Sequence, residues 1–232
     1  MSDVLNKKIK MYWALSPQCY CLFNDFFEPI PNLEFEYLQW KGNKRKVRPK
    51  NTTVSIDLFP HDKKTYHKNH LIFKPNKLIV EKVSKIKKTI DGPYISCHIR
   101  RTDINRIQSK YNIQPPTDNF FEEFIESYPE HKIFLATDSR STQIKFKNNF
   151  KDRIFTYGQP NDDGSKRWPR RTTTIEEAVI DIFMCIDSVR FEGTACSSFS
   201  GFIKNYKEGK KCQREIQAGR LLLQPHQDNL QN

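Results

Sequence analysis

The chain has 232 residues, 37% of them hydrophobic and 12% aromatic, which is enough for one large or two small α/β domains with a real core and too apolar for a disordered chain. Its net charge of +12 points to an anionic partner: nucleic acid, a membrane surface or a phosphorylated small molecule. No run approaches the ~18 apolar residues of a membrane span, and MSDVLNKKIK lacks the apolar centre of a signal peptide, so a soluble, cytoplasmic protein is expected.

Residues 1–88 read as irregular: a strand-like IKMYWAL, an aromatic CLFNDFFEPIPNLEFEYLQW, and a basic run from Lys41 to Lys50. A helix follows, with Pro75 in its first turn and Leu78, Ile79, Val83 and Ile86 at helical spacing. After Gly92-Pro93 the pattern becomes regular. A strand over 94–99 leads to a helix near 118–128, a strand over 132–137, a helix near 140–150 and a strand over 153–157. A polar loop, a helix over 174–187, a strand over 189–193 and a helix from about 197 complete the series. Strands alternating with helices predict a doubly wound parallel sheet, in which ligands bind beyond the carboxyl ends of the strands.

That rule gathers His98, Arg100, Arg101 and Asp103, then Thr137-Asp138-Ser139, the loop 158–173, and Gly193 to Ser198 on one face. Arginine presents a planar fork of donors that matches phosphate oxygens, so Arg100 could hold a diphosphate and stabilise the charge gained by a departing nucleoside diphosphate. The plainer alternative is that Arg100 and Arg101 pair with Asp103 and helix carboxylates. Gly193-Thr194-Ala195-Cys196-Ser197-Ser198 offers backbone N–H groups and a positive helix end to an anion, although serine at a helix start is commonly structural. In the loop, Arg167, Trp168, Arg170 and Arg171 could clamp phosphates, stack on a sugar or base, or be solvated.

Thr174 and Glu177 have capping-box spacing, and Ile175, Ala178, Val179, Ile182, Phe183 and Ile186 form the apolar stripe of their helix. Asp181 falls about 130° from the centre of that stripe on a helical wheel, outside the core, and reads first as a solvated charge. The six cysteines (Cys19, Cys21, Cys97, Cys185, Cys196 and Cys212) show no C-x-x-C pair and no histidine at zinc spacing, so reduced core thiols and no metal are expected. Asn51-Thr52-Thr53 is a glycosylation sequon.

Taken together, HIRRTD, FLATD, TIEEAVIDIF and GTACSSFS, in this order over about residues 90–207, resemble the fucosyltransferase superfamily: core α-1,6, nodulation and protein O-fucosyltransferases. The resemblance implies a GT-B-like α/β fold of two Rossmann-like domains, with the donor on the C-terminal one. It implies that Arg100 binds the β-phosphate of GDP-fucose and is essential, that His98 lies at the nucleotide, and that Arg101 is auxiliary. Asp181 would read the guanine edge, and Ser197, Ser198 and Thr194 would meet the diphosphate; Asp103 and Asp138 would belong to the same nucleotide-sugar site. The reaction implied is inverting, metal-independent transfer of fucose to a glycan or other hydroxyl acceptor, with GDP-fucose as donor substrate and no cofactor.

Two departures shape the expectation. The family's ATDD is Ala136-Thr137-Asp138-Ser139 here, and no Gly-rich strand-to-helix turn precedes Gly42. An abbreviated N-terminal half over 1–88 and a nucleotide-sugar domain over 89–232 are therefore expected. The competing expectations are another nucleotide sugar, a GDP-sugar-binding protein without catalysis, and a nucleic-acid-binding module driven by the basic charge.

Overall fold

The structure, a computed structural model, describes residues 8–15, 21–39, 70–102, 114, 116–161 and 172–218. Its strands are β1 (Ile9–Leu15), β2 (Leu33–Gln39), β3 (Tyr94–Ile99), β4 (Lys132–Thr137), β5 (Ile154–Phe155) and β6 (Arg190–Gly193). Its α-helices are α1 (Lys77–Ile90), α2 (Asp118–Glu126), α3 (Arg140–Phe150), α4 (Ile175–Asp187) and α5 (Ser198–Gln217).

All six residues of β3 are buried, as they must be in a strand covered on both faces. It sits inside a parallel sheet ordered β5-β4-β3-β6. The chain steps outward from β3 to β4 to β5, then returns through α4 to place β6 on the other flank of β3. Because such crossovers are right-handed, the reversal puts the helices on opposite faces and leaves a switch point between β3 and β6. The doubly wound parallel sheet expected of the C-terminal half is therefore what forms.

The two faces of β3 feed two cores. Ile95, Cys97 and Ile99 pack with Ile133, Leu135, Phe121, Ile125 and Phe146 under α2 and α3. Tyr94 joins Phe134, Ala136, Ile180, Met184 and Ile203 under α1, α4 and α5. Each helix begins at a polar residue whose side chain accepts a first-turn N–H: Asn76, Thr117, Ser139, Thr174 and Ser197. Four of these caps stand at or beyond the carboxyl ends of strands, so helix starts and strand ends share one rim of the sheet.

Several expectations are corrected. Pro75 is not in the first turn of α1; it precedes the cap Asn76 and forms a bridge with Phe27. The strand expected over 153–157 shrinks to Ile154–Phe155, because a 3-10 turn at Lys151–Arg153 takes up its start and only β4 pairs with it. The described part of residues 1–88 is less irregular than its composition suggests: β1 and β2 pair in parallel from Ile9↔Leu33 to Leu15↔Gln39. The expected boundary at residue 88 falls inside α1, whose Ile79, Val83 and Ile90 belong to the core shared with α4 and α5.

The aromatic stretch between β1 and β2 joins them to that core. Phe23 stacks on Phe35 of β2 at 4.5 Å and on Phe27 at 5.0 Å, and Phe27 meets Phe183 of α4 edge-on at 6.3 Å. Asn76 ties the joint by donating its amide to the carbonyls of Asn24 and Asp25 at 3.1 and 2.9 Å. Among the described residues, no helix is long and apolar enough to cross a membrane.

Phe183 also meets Tyr206 of α5 at 5.9 Å, so it carries both the joint and the helical layer. Phe183→Ala should cost about 3–5 kcal/mol and lower the thermal midpoint by roughly 6–20 °C. Leu78→Ala, at a position 48% exposed, should move it by less than about 0.5 kcal/mol. Thermal unfolding followed by circular dichroism checks both, and equal effects would overturn the assignment of Phe183 to the joint.

Candidate functional site

The ladder between β3 and β6 ends at the pair His98↔Gly193, and the next residues of each strand hold one another by side-chain bonds. Thr194 donates to the His98 carbonyl twice, from its N–H at 3.0 Å and from its hydroxyl at 3.1 Å. The same hydroxyl oxygen accepts the N–H of Arg100 at 3.0 Å. Thr194 is 1% exposed, so water does not compete for these bonds.

The other flank of the strand end is held by Asp138, at the end of β4. Its carboxylate accepts the Arg101 N–H at 2.7 Å and the Thr102 hydroxyl at 2.6 Å, while its carbonyl accepts the Thr172 hydroxyl at 2.8 Å. The Arg101 guanidinium is held by α2, donating to the Pro116 carbonyl at 2.8 Å and to Asp118 at 2.5 Å. Burial alone would push the Asp118 carboxyl up, but hydrogen bonds from Lys145 and Arg101 hold it below the usual carboxylate range. The two adjacent arginines therefore differ: Arg101 braces α2 against the loop, and Arg100 lies between the Thr194 and Asp138 clamps.

His98 projects to the α4 and α5 face, where its ring stacks on Phe199 at 4.2 Å and its Nδ1 lies 2.7 Å from Ser200 Oγ. Burial, assisted by the Arg100 charge, lowers its pKa to about 3, so the imidazole is neutral at physiological pH. Ser197 caps α5 and is buried, while Ser198 opens the helix exposed to solvent. The first-turn N–H groups of this 20-residue helix have no intrahelical acceptor, which makes its start a favourable place for an anion.

Asp181 overturns the reading of a solvated charge outside the core. It is 9% exposed, and its Oδ1 is buried with no hydrogen-bond partner among the described residues. The wheel assumed one buried stripe, but α4 is the middle helix of its layer, in contact with α1, α5 and the sheet. Its buried residues run through Val179, Ile180, Asp181, Phe183, Met184, Cys185 and Ile186. Burial, reinforced by Glu177, pushes the Asp181 carboxyl well above its ordinary range. The Cys185 carbonyl is 3.5 Å from Ser96 Oγ, and Asp181 lies one helical turn from Cys185 towards the strand ends, the level of His98.

The structure thus brings His98, Arg100, Thr194 and Ser197 together at the switch point, with Asp138 and Arg101 beside them and Asp181 on the neighbouring helix. Asp103, Arg167, Trp168, Arg170, Arg171 and the Lys41 to Lys50 run lie outside the described residues. The ends of the segment holding those loop arginines are tied to this rim by the Thr172–Asp138 bond and by Asn161 N–H donating to the Thr172 carbonyl at 2.9 Å. Phe199 and Ser200 received no role from the sequence. Their signal there was membership of the GTACSSFS block, at its end, just beyond the serines given a role. Among the described residues, no three His, Cys, Asp or Glu side chains gather as metal ligands would.

No family model matches the chain, and no curated protein does. Among solved structures, it is similar to POFUT1 in its apo form, with 15% identity over 65% of this chain and 48% of that one, at a TM-score of 0.47. POFUT1 in complex with GDP-fucose gives 12% identity over 76% and 51%, at 0.46. NodZ α-1,6-fucosyltransferase co-crystallised with GDP gives 15% identity over 88% and 83%, at 0.47. The chain spans about half the length of the POFUT1 structures that it resembles.

Proposed function

We propose that the chain is a GDP-sugar-dependent glycosyltransferase that moves L-fucose from GDP-fucose to a hydroxyl of a glycan or other acceptor, with inversion and without a metal. The observation that carries the nucleotide assignment is the Oδ1 of Asp181, buried with no hydrogen-bond partner among the described residues, on a helix that packs against α5 and the sheet. A buried carboxylate without donors is costly, and native proteins keep such groups where something else supplies the partners. Guanine offers two adjacent N–H donors on one edge, which suit the two oxygens of a carboxylate; uracil and adenine do not present that pair. Arg100, steadied on both sides, then meets the diphosphate together with the N–H groups of α5.

In the reaction, the bond between the sugar's anomeric carbon and the β-phosphate oxygen breaks as the acceptor oxygen attacks from the opposite face. GDP leaves with an extra negative charge on that oxygen, which Arg100 and the α5 start neutralise. The acceptor's proton passes to a base or to water. His98, neutral and buried, adds no cation to the site.

This reading predicts selective stabilisation by ligand. At about a hundred times its dissociation constant, GDP should contribute ~2.7 kcal/mol to thermal stability. Arg100→Ala and Asp181→Ala should each lose most of that shift, and Arg100→Ala should lose fucose transfer from GDP-fucose. Equal shifts with UDP, ADP and GDP would overturn the guanine assignment, and a shift only with a DNA oligonucleotide that fades with salt would favour nucleic-acid binding.

A second prediction concerns the ligand-free protein. The folded state holds a proton on Asp181 that the unfolded chain releases above about pH 4, so stability is lost as pH rises from there through the raised folded value. His98 has the opposite slope: its contribution is lost as pH falls from about 6.5 towards its folded value of about 3. Asp181→Asn should therefore raise the midpoint relative to the parent, more at pH 8 than at pH 4.5, while abolishing the GDP shift. Taking the difference between the two proteins cancels the His98 term. A difference that is constant across this range would overturn the assignment of a proton to Asp181.

A further inference from the structure

His98 is held by more than its strand. Phe199 covers one face of the ring, Ser200 reaches Nδ1, and both belong to the first turn of α5, where Ser200 N–H donates to the cap Ser197 at 3.4 Å. Gly193, paired with His98 across the sheet, is what admits Ser200 to this place. A Cβ there would lie 2.7 Å from Ser200 Oγ and 2.8 Å from Ser200 Cβ, closer than packed atoms come.

The direction of the His98–Ser200 hydrogen bond follows from what each atom can otherwise do. Ser200 is 3% exposed, and His98 Nδ1 is the partner its hydroxyl has among the described residues. If Nδ1 carried the proton and donated, the serine hydroxyl proton would be buried without an acceptor. If the hydroxyl donates, only spare lone pairs remain, and orphaned donors are the rarer and costlier outcome. With Nδ1 accepting, the ring's single proton sits on Nε2. That nitrogen has no hydrogen-bond partner among the described residues, which leaves a donor for a ligand to take up.

We propose that Ser200 is a positioning residue of the donor site, which donates its hydroxyl proton to His98 Nδ1 and thereby presents Nε2–H as a neutral donor to the bound nucleotide. The inference rests on the donor-site reading above and adds to it a residue, a tautomer and a role for His98. A neutral donor can bond to a diphosphate or ribose oxygen without neutralising its charge, which leaves charge compensation to Arg100. The charged and titratable groups on elements packed at this level are Arg100 just past β3, Glu192 on β6 in its ion pair with Lys204 of α5 at 3.1 Å, and Glu177 and Asp181 on α4. None of them hydrogen-bonds the ring.

The test is nitrogen NMR of the ¹⁵N-histidine-labelled full chain, with the His98 signals assigned by their loss in His98→Gln. The expected result is the Nε2–H tautomer in the ligand-free protein, with no titration between pH 5 and 8. In Ser200→Ala the ring should show mixed tautomers, and GDP affinity measured by calorimetry should fall roughly tenfold, the scale of one lost hydrogen bond in a buried site. Ser200→Thr, which keeps the hydroxyl, should restore the tautomer and most of the affinity. An Nδ1–H tautomer, or a His98 that titrates near pH 6 in the parent, overturns the proposal; so does a Ser200→Ala protein with unchanged His98 signals. Absence of GDP binding in the parent with the expected tautomer present would instead refute the donor-site reading.

Discussion

One buried hydroxyl governs the geometry of the rim. Thr194 Oγ1 donates to the carbonyl before Arg100's neighbour and accepts the N–H of Arg100 itself, so a single atom continues the β3–β6 pairing past the point where the ladder stops. A strand end normally frays into solvent, where its polar groups bond water and its direction is loose. Here both sides are fixed, by Thr194 on one flank and by the Asp138 carboxylate on the other. Arg100 leaves the sheet from a backbone with little freedom, which is the preorganisation a charge-stabilising group needs if it is to act without reorganising.

That arrangement depends on the topology. The β3–β6 flank exists because the chain turns back after β5; β6 supplies the glycine that admits Ser200, and the next residue is the threonine that holds Arg100. The same reversal makes α4 a central helix, covered on several sides, and so carries Asp181 out of water. Two titratable groups, His98 and Asp181, thus sit in a dry layer that favours the uncharged form of each; the stability tied to His98 is lost as pH falls and that tied to Asp181 as pH rises. Strain of this kind is tolerable because the sheet beneath is buried on both faces by two continuous cores.

Much of this was legible in the residues. β3 and β4 lie where continuous apolar runs predicted them, and the Thr174 and Ser197 caps announced the starts of α4 and α5, because those signals are local and chemical. What failed was whatever depended on neighbours. A helical wheel treats a helix as having one wet side, and only the packing of α1 and α5 reveals that α4 has almost none. The shortness of β5 follows from the turn at Lys151, and the pairing of β1 with β2 links segments whose own sequences are short and mixed. Phe199 and Ser200 lie at the end of the GTACSSFS block but drew no role from it, since their contacts are with an imidazole about a hundred residues away in sequence.

Asp138 and Asp181 show how the site should be read. Both are aspartates in motifs at the same rim, and sequence pattern alone places both in one list. Asp138 has its carboxylate taken up by a backbone N–H and a hydroxyl, and its work is to shape a loop. Asp181 keeps an oxygen that nothing in the described protein satisfies. Residue type and spacing give the two aspartates the same reading; their hydrogen-bond partners in the fold separate them. By that criterion Asp138 belongs to the scaffold, and Asp181 is the aspartate of this rim whose oxygen the described fold leaves without a donor.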